Sequence, residues 1–301
     1  MIGASLLAAE RSSGPFVDAI DATLELGAYE RLWCEHNASF KTIAEMFAQH
    51  RDARPSNFVP EEEARETGQR VVAKLRERVE GWFNLRIHGE LDYPPRLRHA
   101  THPVELLYFQ GWWDLIDTPS VAVVGTRKPS DDGIKRARQL VKALLADKFT
   151  IVSGLAKGID TVAHETAIGE GGQTIGVIGT PLGHTYPKSN AALQNTIAEK
   201  FLLISQIPVE RYEAQSPKTN RFFFPERNKT MSALAIATII IEAGETSGTL
   251  TQAREALKQG RKLFILNSCF ENSNLTWPAK YEAQGAIRVR EYDDIQRELV
   301  Q

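Results

Sequence analysis

Cysteine is nearly missing from this 301-residue chain, with Cys34 and Cys269 the only two. They lie far apart and neither belongs to a CxxC, which argues against a disulfide framework or a structural zinc site and predicts two unpaired thiols in a reducing compartment. No window approaches the roughly 18 apolar residues of a membrane span. The opening stretch MIGASLLAAERSSG has no basic leader ahead of its short apolar run. The expectation is therefore a cytoplasmic protein with no export signal and no membrane partner. An excess of charge of one sign is missing too, since 36 basic and 38 acidic residues leave a net of −2. That argues against a protein coated in positive charge, but not against a local basic groove.

Familiar catalytic and nucleotide signatures are also missing. No GxGxxG follows the first strand-like run, so ordinary dinucleotide binding has no support. GETSGT (244–249) carries the hydroxyls of a phosphate loop but no lysine ahead of Thr249, which argues against a P-loop NTPase. VSGLAKG (152–158) is not GxSxG, so no nucleophile elbow presents Ser153. His164 lies within IDTVAHETAI and reads as a packed or surface histidine, and Asp160 complements that helix's dipole. No acid–base pair emerges, and neither a catalytic residue, a cofactor nor a metal is expected.

What is present falls into two textures that divide near residue 89. Upstream, FVDAIDATLELGAYERLWCEH, FKTIAEMFAQH and EEEARETGQRVVAKLRERVEGWF read as amphipathic helices. In the last of these Val71, Val72, Leu75, Val79, Trp82 and Phe83 recur near the 3.6 period. RDARPSNFVPEEE between them, with two prolines, reads as a loop. Downstream, SVAVVG, TIVSG, QTIGVIG, FLLISQ, ATIIIEA, KLFIL and AIRVR alternate with helical patterns. Runs this apolar on both faces suit parallel strands covered by helices on each side. In DDGIKRARQLVKALLADK, residues Ile134, Ala137, Leu140, Val141, Leu144 and Leu145 form one stripe. The expected fold is α/β: a Rossmann-like, doubly wound, mostly parallel sheet over 90–301 with a small helical domain over 1–89.

Parallel strands end on one edge, where ligands bind in such sheets. Four strands run into loops of small residues there: Gly125-Thr126-Arg127, Ser153 to Gly158 with Gly154 and Lys157, Gly179 to Gly183, and Gly244 to Thr249 with Ser247 and Gly248. Glycine allows close backbone approach and following helices offer free N–H groups, so the edge is predicted to hold phosphate. NRFFFPERNKT (220–230) adds Arg221, Arg227 and Lys229 around three phenylalanines. Cations that track a phosphate backbone beside an aromatic that stacks on an unpaired base suit a single strand of nucleic acid. Phe224 is the stacking candidate, and Phe222 and Phe223 read as core.

With these motifs in view the sequence resembles the DNA-processing protein A (DprA/Smf) family. The resemblance rests on YPPRLRHATHPVELLYFQG (93–111), VAVVGTRKPS (121–130), IVSGLAKGIDTVAHETAI (151–168), TIGVIGTPLGHTYPKSNAAL (174–193), FPERNKTMSALA (224–235) and IIIEAGETSGTLTQAREALKQGRKLF (239–264). It implies a protein that binds and protects single-stranded DNA as a homodimer and loads RecA recombinase in transformation, without being an enzyme. By motif position Arg127, Lys157, Arg227 and Lys229 would line the basic pocket, with Phe224 and Asn228 beside them. The chain departs from the pattern where RNK replaces RNR, where Gln206 replaces a glutamate, and at PLGH and LNSC. Two other readings stay open. One is a nucleotide-directed phosphoribohydrolase, which GETSGTLTQARE with Glu255 faintly resembles. The other is a regulator or antitoxin that contacts an operon-encoded protein.

Overall fold

The computed structural model describes residues 20–299, so the opening stretch read for export signals lies outside the described residues. Nine strands build one sheet: β1 (Asn84–Ile87), β2 (Leu106–Gly111), β3 (Ser120–Val124), β4 (Thr150–Ser153), β5 (Thr174–Ile178), β6 (Leu202–Ser205), β7 (Ala237–Ile240), β8 (Lys262–Leu266) and β9 (Ile287–Val289). Their spatial order is β1-β2-β6-β5-β4-β3-β7-β8-β9. The seven strands from β3 onward pair in parallel, and they are the seven Val/Ile runs of the sequence. β1 and β2 join antiparallel at one end, an addition the periodicity did not suggest.

The helices are α1 (Ala22–Trp33), α2 (Phe40–Gln49), α3 (Glu61–Arg78), α4 (Asp131–Ala146), α5 (Ile159–Gly169), α6 (Ala191–Lys200), α7 (Val209–Ala214), α8 (Pro217–Asn220), α9 (Phe223–Leu234), α10 (Thr249–Lys258), α11 (Asn267–Glu271), α12 (Trp277–Glu282) and α13 (Asp293–Leu299). α3 stops at Arg78 because Val79 turns extended (φ −87°, ψ 118°), so Trp82 and Phe83 do not continue its stripe and Trp82 is exposed. On α4, Ala137, Leu140, Val141 and Leu144 pack on Val121, Val123, Ile151 and Ile239. Successive strand residues point to opposite faces, so Ala122, Val124, Val152 and Ile240 serve the other face. That face belongs to the core shared with α1, α9 and α10.

The anticipated division near residue 89 falls just after β1, which is already part of the sheet. The upstream helices share one continuous core with it: Tyr29, Trp33, Phe40 and Leu75 cluster with Leu107, Phe109 and Ile204. Among the described residues no helix is long and apolar enough to cross a membrane.

Candidate nucleic-acid interface

The chain after β3 passes through α4 to β4 on one side, while β7, the other neighbour of β3, leads through α10 to β8. The connections diverge here, which opens a crevice at the carboxyl ends of β3 and β7. A cleft of about 750 Å³ lies in it. It is lined by the Gly125-Thr126-Arg127-Lys128 turn, the Thr246-Ser247-Gly248-Thr249 loop, Arg221 between α8 and α9, and Phe224, Arg227 and Asn228 from the start of α9.

Backbone bonds set its shape. The Thr126 N–H donates to the Glu242 carbonyl at 2.7 Å, and the Thr249 hydroxyl donates to the Gly125 carbonyl at 3.1 Å, binding the two loops together. The Lys128 N–H donates to the Thr126 hydroxyl at 3.2 Å, which turns Arg127 and Lys128 outward, and both are exposed. The Ser247 hydroxyl takes the Thr249 N–H at the head of α10 (3.2 Å). Gly158 has φ +80°, and a Cβ there would overlap the Thr126 carbonyl, so only glycine lets the β4–α5 loop sit against the opening turn.

Not every helix start is open to an anion, contrary to the expectation. The Glu242 carboxylate takes the Ser130 hydroxyl (2.7 Å) and N–H at the head of α4. Asp160 takes the N–H groups of Gly154 (3.2 Å) and Ala156 (3.4 Å). Both seats hold the protein's own carboxylates, and at the head of α10 the N–H groups of Thr249, Leu250 and Thr251 bond to Ser247 and Gly248.

Several expected phosphate contacts lie elsewhere. Ser153 is fully buried and donates to the Val123 carbonyl at 2.7 Å, a bond between neighbouring strands. Gly154 lies beneath Arg227, where a Cβ would collide with the guanidinium. Arg227 is itself only 5% exposed. It donates to the carbonyls of Gly154 (2.6 Å) and Val177, and its Nε donates to Asn228. Burial lowers its pKa to about 10, partly offset by Asp160, so it stays cationic as a floor post whose protons are largely committed. Asp160 is pushed up to about 6 by burial, which Arg227 and the two N–H bonds oppose. Lys229 turns away to Glu226 (2.7 Å) and His102 (3.1 Å), outside the cleft. Lys157 is exposed beyond the cleft's rim, and Gly158 does not line it.

Lys128 and Tyr186 line the cleft although neither was among the expected contacts, and Arg221, read from the sequence only as a neighbouring cation, lines it too. Lys128 and Arg221 are exposed cations of the lining. Tyr186, from the loop after β5, stands 5.3 Å ring to ring from Phe224. The clue to Tyr186 was an aromatic at a strand-end loop, in HTYPKS. Phe223 is buried as expected, but Phe222 is 73% exposed. The reason is geometric: α9 begins here and consecutive helical side chains point in different directions, so one phenylalanine reaches the core, one the cleft and one the solvent. Asp160 is the single carboxylate of the lining, against Arg127, Lys128, Arg221 and Arg227. Glu255, of the motif compared with phosphoribohydrolases, lies on the buried face of α10, takes the Thr101 hydroxyl and does not line the cleft.

The family model for DNA recombination-mediator protein A matches residues 84–300. DNA processing protein DprA of Bacillus subtilis is 33% identical over 231 residues, 76% of this chain and 75% of that protein. The Streptococcus pneumoniae protein of the same name is 38% identical over 174 residues, 58% of this chain and 59% of its own length. The solved structure of DprA from Streptococcus pneumoniae superposes with a TM-score of 0.68 at 29% identity, covering 92% of this chain and 96% of that one. DNA processing protein A from Helicobacter pylori, solved for its single-stranded DNA binding mode, gives 0.62 at 27% identity over 72% of this chain and 95% of its own. On its sheet order, its ordered motifs and these matches, the chain belongs to the DNA recombination-mediator protein A family.

Proposed function

We propose that this protein binds single-stranded DNA in the switch-point cleft and holds it without chemical conversion. The observation that carries the reading is the cleft's composition. Three exposed cations (Arg127, Lys128 and Arg221) surround a tilted aromatic pair, and the lining's one carboxylate is buried and hydrogen-bonded to backbone. Cations neutralise phosphates and release counterions, while an aromatic face accepts any unpaired base. The single-stranded DNA binding mode of the Helicobacter pylori relative supports the same assignment. A non-enzymatic role suits Asp160, which is buried and whose Oδ2 takes two backbone N–H groups.

The division into a helical unit over 1–89 and a DNA-binding unit over 90–301 is proposed as one of role: the helices buttress the cleft wall. A homodimer and a recombinase partner are proposed on the family resemblance alone, and a cytoplasmic setting on the composition of the chain. The experiment is a titration of matched single-stranded and duplex oligonucleotides. Preference for the single strand, with a log–log salt slope of about −0.7 per phosphate neutralised, is the expected result. Equal binding to both forms, or affinity indifferent to salt, would count against it.

A further inference from the structure

Phe222 is the largest departure from what its sequence neighbourhood suggests. It is 73% exposed, whereas Phe223 beside it packs 5.9 Å from Tyr212, 6.1 Å from Phe40 and 6.5 Å from Trp33. Leaving a phenylalanine face in water forgoes the gain of burying it, so what surrounds the ring matters. Arg221 precedes it, is exposed and lines the cleft; Lys218, one turn earlier on α8, is exposed too. Neither forms an ion pair among the described residues. The nearest carboxylate in sequence, Glu226, is bound to His102 (2.8 Å) and Lys229 (2.7 Å). Two residues after Phe222, Phe224 stands in the cleft against Tyr186. An exposed ring, flanked by unpaired cations and continuous with an aromatic cleft, matches a polyanion carrying flat apolar groups better than an apolar protein face.

The geometry points to Phe222 as a second base-stacking platform outside the cleft, where an unpaired nucleobase lies on the ring while Arg221 and Lys218 hold the flanking phosphates. This rests on the single-strand reading above and extends its footprint by at least one nucleotide. The site takes any base, because stacking does not read base edges.

The test is fluorescence anisotropy of the full chain with oligothymidylates of about 4 and about 16 nucleotides, lengths that fill the cleft alone or run past it. Phe222→Ala is expected to weaken binding of the longer strand by about 5- to 100-fold and to leave the shorter one unchanged. Phe222→Trp should restore the longer strand's affinity. Because the ring is exposed, the variant should melt like the parent protein. Unchanged binding of both strands by Phe222→Ala overturns the proposal, and so does equal weakening of both. Unchanged binding with an altered sedimentation coefficient would give the ring to a second copy of the chain, also overturning it. Failure of the unsubstituted protein to bind either strand would instead bring down the single-strand reading itself.

Discussion

Two arginines of the cleft carry the same charge and do different work. Arg127 is exposed and forms no ion pair among the described residues, so its contribution is to the ligand's phosphates. Replacing it by alanine should lower single-strand affinity and flatten the salt slope by about 0.7, leaving the melting temperature unchanged; paired titration and melting curves check this. Arg227 is buried against two carbonyls and Asp160. Arg227→Met should cost about 3–5 kcal/mol of folding stability by stranding those partners, measurable in urea. Nothing in FPERNK marks Arg227 as buried: an arginine in a basic tripeptide reads as surface, and its true partners lie 73 and 50 residues away in sequence. The same blindness applies to Ser153 and Lys229, whose neighbours are set by strand pairing and by a distant histidine. Gly125, Thr126, Ser247, Gly248 and Thr249 were readable because loops at parallel strand ends must converge.

At the scale of elements, the long connection from β6 to β7 carries the cleft's aromatic wall, and the N-terminal helices hold it. From α1, Glu30 accepts the Tyr108 hydroxyl and the N–H groups of Val209 (2.7 Å) and Glu210 (3.0 Å). On α3, Arg70, Lys74 and Arg78 face Glu210 and Glu213 of α7. Glu30 is fully buried, and desolvation raises its pKa to about 7 against the opposing hydrogen bonds. Its folded pKa exceeds the unfolded value, so the stability it contributes is complete below about pH 4.5 and fades as pH rises toward 7. Glu30→Gln should flatten the stability–pH curve across that window by up to roughly 3 kcal/mol, as read by denaturation at several pH values. The paired charges on α3 and α7 are partly exposed, and Lys74→Ala should cost less than about 1 kcal/mol, measurable by the same method. The seven parallel strands were legible because each is a short Val/Ile run. β1 and β2 were not, because their place at the sheet's end depends on pairing with β6.

For the whole molecule, the shared core matters most. The upstream helices bury Trp33, Phe40 and Leu75 in the same cluster as β2 and β6. Calorimetry of the full chain should therefore show one cooperative transition. Two resolved transitions would show that the buttress folds apart from the sheet. The sheet also ends modestly on both sides, with four residues in β1 and three in β9. Exposed strand margins recruit other chains when they are long and flat. Margins this brief offer an incoming backbone only a few rungs, so the purified protein should resist fibril formation even where high concentration crowds its copies together.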